Sequence, residues 1–268
     1  MATTDKLFAG SIPEIYDRLL VPLIFDSYAR DLAGRVADAR PAVVLEVAAG
    51  TGALTRALAA RLPDTRIVAT DLNQPMIEKA ARRQPPGQIE WQQADALALP
   101  FPDESFDAVA CQFGAMFFPD KVQGYREARR VLRRGGRFLF NVWDSISANE
   151  FADIVTEALV AVFPHDPPRF MVRTPHGYHD TARIRRELEA AGFADVAVET
   201  VDGVSRAASP RIPAIAFCQG TPLRNEIEAR DAGRLEEATE RAAEAVARRF
   251  GDGAVEGRNR ALVITARG

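Results

Sequence analysis

The chain has 268 residues, of which 47% are hydrophobic and 26% are charged, with a formal net charge of −3. This composition is typical of a soluble globular protein, and its charge balance gives no electrostatic reason to expect nucleic acid or a membrane surface as a partner. No apolar run approaches the roughly 20 residues that cross a bilayer, and the first residues lack the pattern of a secretory signal.

The cysteines and histidines exclude the usual metal patterns. Cys111 and Cys218 are not spaced as metal ligands, and the three histidines do not accompany them in a zinc motif. We therefore predict no metal site. Two isolated cysteines suit a reducing compartment, so we expect a cytoplasmic location.

Short apolar runs alternate with helical periodicity in the first half of the chain, a pattern typical of a parallel sheet with crossover helices. Strands are predicted at 42–47, 66–70, 88–92, 106–111 and 137–142. Helices are predicted between them, the last over 121–133 and ended by Gly135 and Gly136. We expect a Rossmann-like α/β fold with a seven-stranded, mostly parallel sheet and helices on both faces.

The second half is less regular. We predict an amphipathic helix over 151–162, an irregular segment over 163–178, a helix from Asp180 to Gly192, and strands near 196–201 and 261–265. We treat residues 1–268 as a single domain. Its parts are an N-terminal helical cover at 1–40, a core at 41–143, the rest of the sheet at 144–200 and 258–268, and a helical insertion at 203–257.

A glycine-rich turn follows the first strand. Glu46 lies on that strand, and Gly50 and Gly52 follow at the carboxyl end, where open α/β sheets bind ligands. The glycines let the backbone turn tightly and approach a ligand. A buried, unpaired carboxylate costs several kcal/mol, so Glu46 is suited to receiving a cation.

The segment from Glu46 to Leu54 resembles motif I of the class I S-adenosylmethionine (SAM)-dependent methyltransferases. Ala48 replaces the commoner first glycine of that motif. The resemblance covers about residues 8–143 and includes the segments 99–107 and 127–136. It implies SAM as the cofactor, with the methionine part of SAM against the glycine loop and its ammonium end near Glu46.

The resemblance also implies the residues that hold the rest of SAM. Asp71 lies after the second strand, where an acid can accept both ribose hydroxyls, and Asp95 is similar to the residue that binds the adenine amino group. Leu72 and Leu97 would sandwich the adenine, and the Ala96 backbone amide would recognise its ring. Gln112 and Phe113 match the segment beneath the transferred methyl. The predicted cofactor-binding set is Glu46, Ala48, Gly50, Thr51, Gly52, Asp71, Leu72, Asp95, Ala96, Leu97, Gln112 and Phe113.

Two other functions are open alternatives. The first is a SAM-binding protein without catalysis, which the cofactor motifs do not separate from an enzyme. The second is an NAD-binding oxidoreductase, whose fingerprint requires Gly or Ala where this chain has Thr55. Glu46 has no role with NAD, so the methyltransferase interpretation is favoured.

Methyl transfer from a sulfonium requires alignment and water exclusion more than a catalytic side chain. We predict a small, partly apolar acceptor, as for quinone-biosynthesis and secondary-metabolite enzymes. Candidate residues near it are Tyr16, which could equally be core, and His176 and His179, one of which could act as a base, although solvated loop histidines are commoner. The methylated atom and the oligomeric state, including a homodimer, stay open.

Overall fold

The structure is a computed structural model that describes residues 5, 8, 10–83 and 89–268. Its strands are β1 Val43–Val47, β2 Arg66–Asp71, β3 Ile89–Gln93, β4 Phe106–Gln112, β5 Leu132–Trp143, β6 Asp195–Ala207 and β7 Val255–Arg267. Its α-helices are α1 Ile12–Ile15, α2 Asp26–Ala37, α3 Ala53–Arg61, α4 Gln74–Ala81, α5 Lys121–Val131, α6 Glu150–Val162, α7 Phe170–Arg173, α8 Thr181–Ala190, α9 Arg211–Gly220, α10 Leu223–Arg230 and α11 Leu235–Phe250. A π-helix, Tyr16–Phe25, lies between α1 and α2.

The strands form one seven-stranded sheet in the order β3-β2-β1-β4-β5-β7-β6. The pairs β3–β2, β2–β1, β1–β4 and β4–β5 are parallel. Two salt bridges join β6 to β7: Arg206, near the end of β6, pairs with Glu256, near the start of β7, and Asp195 at the start of β6 pairs with Arg267 at the end of β7. These two strands are therefore antiparallel. The predicted Rossmann-like, mostly parallel sheet is confirmed.

The chain divides into two compact units. The first contains the described residues up to Phe25, Trp143–Gly177 and Asp202–Ala261. The second contains Asp26–Val142, Tyr178–Val201 and Leu262–Gly268. The predicted single-domain organisation of the chain stays a prediction.

The core of the second unit explains why β1, β2 and β4 read as continuous apolar runs. Helices α2 and α3 pack against each other and bury their apolar stripes with the inner strands. Leu32, Leu58 and Ile67 are fully buried in this cluster. Strands covered on both faces are apolar on both, as parallel strands usually are.

In the first unit, α9 is the central helix. It packs against α1, the π-helix and α11, and α6 packs on α11 and α9. Pro213, Ala214 and Phe217 of α9 are buried in these contacts.

The predicted end of the helix before β5 is wrong. Helix α5 ends at Val131, and β5 begins at Leu132 rather than at 137. Phe106 of β4 pairs with Leu132, but Ala108 pairs with Arg137, so the extra residues bulge out of the strand. Gly135, with φ of +78°, supplies the left-handed backbone of this bulge instead of capping the helix.

The predicted ends of the last two strands are also wrong. β6 continues to Ala207 and β7 starts at Val255, so both ends of the predicted insertion at 203–257 are strand. Exposed and half-buried residues alternate along β6, and an apolar run therefore does not mark it. Between these strands, α9, α10 and α11 replace the single predicted helical stretch.

Arg130 of α5 anchors the loop that leads into β4. Its guanidinium donates to the carbonyl oxygens of Leu99 (2.9 Å) and Phe101 (2.7 Å). It also pairs with the carboxylates of Glu127 and Asp103, both at 2.8 Å. The pKa of Glu127 is lowered, chiefly by its hydrogen bonds with Arg130.

We expect Arg130→Lys to lower the free energy of unfolding by about 2 kcal/mol, because an ammonium cannot reproduce the planar fork that reaches two carbonyls and two carboxylates. Urea unfolding measures this change. The control is Arg134→Lys, since the Arg134 side chain is 97% exposed. Equal effects of the two substitutions would show that Arg130 does not anchor the loop.

Candidate cofactor-binding site

Strand register brings the predicted site residues to one edge of the sheet. Glu46 of β1 pairs with Ala69 of β2 and with Ala110 of β4. β2 and β4 each end two residues later, at Asp71 and Gln112. The carboxyl ends of β1, β2 and β4 therefore meet, as required for a ligand site in an open α/β sheet.

The turn after β1 is held in left-handed backbone. Ala48, Gly50 and Gly52 have φ of +56°, +58° and +82°. Glycine adopts this region freely, whereas alanine is strained there by about 1 kcal/mol or more. The turn leads directly into the N-terminus of α3, and the N–H groups of Ala49 and Gly52 donate to the carbonyl oxygens of Thr70 and Ala49.

Asp71 fixes this turn to β2. Its Oδ2 accepts a hydrogen bond from the Gly50 N–H at 2.8 Å, and its Oδ1 accepts one from the Asn73 N–H at 2.8 Å. Burial raises the pKa of Asp71, and these hydrogen bonds from Asn73 and Gly50 oppose the rise. The Asn73 side chain does not cap α4; its Nδ2 donates to the Asp71 Oδ1 at 3.3 Å.

Glu46 is the buried acid of the site. Its side chain is 1% exposed, and its Oε2 has no hydrogen-bond partner among the described residues. Burial raises the pKa of Glu46 to about 8, although Thr55 and the charge of Arg56 lower it. A buried carboxyl oxygen without a partner is costly, and a ligand cation would relieve that cost.

The predicted adenine contacts lie at the end of the same edge. Leu72 is 44% exposed, which is unusual for a large apolar side chain next to a buried acid. Leu97 and Ala96 are half-buried, and Asp95 is exposed and accepts from the Leu97 N–H at 2.9 Å. An apolar ring laid against Leu72 and Leu97 would cover this surface.

The turn after β4 is strained as well. Phe113 has φ of +50° and is buried, and its ring meets that of Tyr28 edge-on at 5.5 Å. The Phe113 N–H donates to the Asn141 side-chain Oδ1 at 3.0 Å and to the Asn141 carbonyl at 3.1 Å. Non-glycine residues held in this region are concentrated at functional sites.

Three residues of this edge were missed by sequence reasoning. Asn141 holds the Phe113 turn and is fully buried, with an Nδ2 that lacks a partner in the described part of the chain. Thr55 lies beside Glu46, and the Trp91 ring lies beside Gly52. In the sequence, Asn141 could have been found only as a polar residue within the apolar run of β5. Thr51, which was predicted, is 1% exposed, and its Oγ1 also lacks a described partner.

The candidate residues for acceptor chemistry fall in different places. Tyr16 and His176 belong to the first unit, where the Tyr16 ring lies 5.2 Å from that of Phe25 at a tilt of 30° and His176 is buried. His179 belongs to the second unit and is exposed. Cys111 is fully buried, and burial raises the pKa of its thiol to about 12, as expected for a core residue.

Comparison with known proteins decides the family. Residues 45–140 match the family model of a methyltransferase domain. A demethylmenaquinone methyltransferase of Deinococcus radiodurans is 37% identical over half of this chain, and the chain spans 58% of that relative's length. A ubiquinone/menaquinone biosynthesis C-methyltransferase of Methylobacterium nodulans is 32% identical over 63% of this chain and 72% of its own length.

The chain belongs to the class I SAM-dependent methyltransferases. The structure agrees: a putative methyltransferase of Bacillus halodurans has the same fold, with a TM-score of 0.58, 21% identity, and coverage of 90% of this chain and 98% of its own. The dehydrogenase alternative gains no support.

SAM fits the site of this methyltransferase. Glu46 offers a buried, unpartnered carboxyl oxygen for an ammonium, and Leu72 offers an exposed apolar surface for a purine. Asp71 is the last residue of β2, next to Leu72 in the chain, where it would accept the ribose hydroxyls. The individual contacts of the predicted residues with SAM stay predictions.

We expect Glu46→Gln to stabilise the free protein increasingly as pH rises. Glu46 has a pKa near 4.5 when unfolded and about 8 when folded, so its stabilising contribution is complete below pH 4.5 and is lost as pH rises to 8. That loss amounts to about 1.4 kcal/mol per pH unit within the window. Because Gln cannot ionise, the Glu46→Gln protein does not lose this stability as pH rises.

Urea unfolding of wild type and Glu46→Gln at pH 5 and pH 8, without ligand, tests this expectation. The stability difference between the two proteins should be larger at pH 8. A difference that does not change with pH would mean that Glu46 is not held protonated in the fold.

We expect Gly114→Ala to cost about 2 kcal/mol by overpacking, and Ala48→Gly to restore part of that stability. A Cβ on Gly114 would lie 2.4 Å from the Ala48 Cβ and 2.7 Å from the Cys111 Sγ. Removing the Ala48 methyl opens space and relieves its left-handed strain.

A double-mutant cycle on urea unfolding measures the coupling, which we expect to exceed about 1 kcal/mol. The control is Gly253→Ala, because a Cβ there meets nothing within 4 Å. Additive effects of Ala48→Gly and Gly114→Ala would contradict the proposed contact between the two turns.

Proposed function

We propose that this protein transfers the methyl group of SAM to a small, partly apolar acceptor whose reactive ring carries a hydroxyl group. The observation that carries the proposal is the buried Glu46 carboxyl with its unpartnered Oε2, on the same edge as Asp71. The named activities of the two relatives, methylation in menaquinone and ubiquinone biosynthesis, support an acceptor of the quinol type.

SAM would supply an electrophilic methyl group: its carbon would bond to the acceptor as its bond to sulfur breaks, with the neutral thioether as the leaving group. The residues of this chain bind and orient. Glu46 would receive the ammonium end, and Asp71 the ribose, which together fix the direction of the sulfonium. The constrained Phe113 turn would form a rigid, water-poor floor beside the methyl group.

No side chain is assigned as a general base. A base is required only when the nucleophile's pKa is well above the working pH; a phenolate needs none, and a ring carbon activated by a phenolate would lose its ring proton to water after the methyl group is attached. Two buried free cysteines suit a reducing compartment, and we place the reaction in the cytoplasm. A homodimer stays a prediction that no contact tests.

Asp71→Asn is expected to reduce methyl transfer to a phenol or naphthol acceptor by about 10- to 100-fold at low SAM concentration, because one charge-assisted acceptor of a buried site is lost. Product is measured by mass spectrometry as the gain of one CH₂ after incubation with SAM and 1,4-dihydroxynaphthalene. Asp64→Asn is the matched control, since Asp64 is exposed.

Each outcome of this assay is decisive for the proposal. Methylated product that depends on Asp71 and not on Asp64 supports it. Tight SAM binding without transfer to any hydroxylated ring would favour the alternative of a SAM-binding protein without catalysis.

A further inference from the structure

The second unit contains an open groove that is rich in arginine and has a volume of about 910 Å³. Its charged lining consists of five arginines and two acids. The arginines are Arg126, Arg129, Arg130, Arg133 and Arg134, and the acids are Asp103 and Glu104. The net charge of the whole chain is −3, so this excess of positive charge is local.

The groove lies at the opposite end of the strands from the cofactor site. Leu132 and Gly136 of the first part of β5 line it, together with Asp103 and Glu104 of the loop that leads into β4. Strands β4 and β5 are parallel, and the cofactor edge lies at the carboxyl end of β4, at Gln112. The seven residues of β4 separate the two ends by roughly 20 Å. The groove is therefore distinct from the SAM site, and the proposed function gives it no role.

Three of the five arginines already face an acid. Arg130 pairs with Asp103 at 2.8 Å, and Arg133 pairs with Asp107 at 2.7 Å. Arg134 lies 3.7 Å from a carboxylate, but its side chain is 97% exposed, so this pair is weak. These arginines contribute less to the attraction of an anion than an arginine without an acidic neighbour does.

Arg126 and Arg129 pair with no carboxylate in the part of the chain that the structure describes, and each donates to a backbone carbonyl instead. Arg126 donates to the Ala190 carbonyl oxygen at 3.4 Å, and the Arg129 Nε donates to that of Gly192 at 2.6 Å. A guanidinium has five N–H donors, and each of these bonds uses one. Both side chains are exposed, so their charges and remaining donors are accessible from the groove.

Backbone packing fixes the position of Arg129. A Cβ on Gly192 would lie 2.9 Å from the Arg129 Nε, and a Cβ on Gly268 would lie 2.7 Å from its Cζ. The guanidinium therefore packs directly against two backbone segments. A group that is held in place before binding loses less conformational entropy when it binds. Arg126 and Arg129 are three residues apart in α5 and so lie on one face of that helix, where both can reach one ligand.

Two neighbouring guanidinium groups favour a phosphate over a carboxylate. The planar fork of one arginine occupies both oxygens of a carboxylate, whereas a terminal phosphate has three oxygens and can accept from two forks. A groove lined by charge of one sign also raises the local concentration of anions. Its volume is in the range of small-molecule sites and exceeds what one phosphate group needs.

We propose that this groove binds a phosphate-bearing ligand, with Arg126 and Arg129 donating to the phosphate oxygens. A phosphorylated small molecule and the headgroup of an anionic lipid share this chemistry. The inference is independent of the proposed function, because the groove and the cofactor site lie at opposite ends of β4.

Calorimetric titration of the full chain with inorganic pyrophosphate tests this proposal. Wild type should bind pyrophosphate with submillimolar affinity, and the affinity should fall as sodium chloride is added. Arg129→Gln should lower the affinity about tenfold, and the double variant Arg126→Gln, Arg129→Gln should lower it about 100-fold. Arg61→Gln is the matched control, because Arg61 is an exposed arginine in the last turn of α3 and its substitution removes the same charge.

Cosedimentation with phosphatidylglycerol vesicles, with phosphatidylcholine vesicles as the neutral control, distinguishes the two sources of phosphate. Pyrophosphate binding without vesicle binding would support a soluble phosphorylated ligand. Binding to the phosphatidylglycerol vesicles that is lost in the double variant would support a lipid headgroup. Circular dichroism verifies that each variant folds.

Three results would overturn the proposal. The first is that wild type binds neither pyrophosphate at millimolar concentration nor the anionic vesicles. The second is that the double variant keeps the wild-type affinity, or that Arg61→Gln loses as much affinity as Arg129→Gln, since binding would then follow the overall charge and not the groove. The third is that S-adenosylhomocysteine displaces pyrophosphate, because the anion would then occupy the cofactor edge.

Discussion

The Asp71 carboxylate is the contact on which the cofactor edge depends. It lies at the end of β2, accepts from Gly50 in the turn after β1, and accepts from Asn73 at the start of α4. One buried group therefore joins two loops that are about twenty residues apart in the chain. Because both carboxylate oxygens accept these hydrogen bonds, the orientation of the Asp71 side chain toward a bound ribose is fixed before binding. Such preorganisation lowers the cost of binding.

Backbone strain is concentrated at the same edge. Ala48 and Phe113 are two of the four non-glycine residues with positive φ among the described residues, and they lie in the turns after β1 and β4. Each turn is held by a buried polar side chain, Asp71 for the first and Asn141 for the second. The close approach of Gly114 to Ala48 shows that the two turns are packed together. Strain of this kind persists only where the surroundings fix it.

Much of this arrangement could be predicted from the sequence, because parallel strands buried on both faces are apolar runs and the site residues follow their carboxyl ends. Glu46 was conspicuous as an acid within such a run. β6 and the start of β7 could not be delimited in this way, because one or both of their faces are exposed. Gly135 was misassigned because a positive φ suits a bulge and a helix end equally well.

The polar residues that support the site were harder to foresee. Asn141 and Thr55 act through neighbours that are distant in sequence, and no local pattern marks such pairs. His176 and His179 looked alike in an irregular segment, but one is buried beside Trp143 and the other is exposed. Only the tertiary packing of residues far apart in sequence separates them.

Calorimetric titration of the purified protein with S-adenosylhomocysteine, with NADH as the control ligand, tests the central claim most directly. The account predicts micromolar binding of the adenosyl ligand and no heat from NADH, because Glu46 and Asp71 are arranged for an ammonium and a ribose and not for a pyrophosphate. Binding of NADH alone would contradict the assignment of this edge as a SAM site.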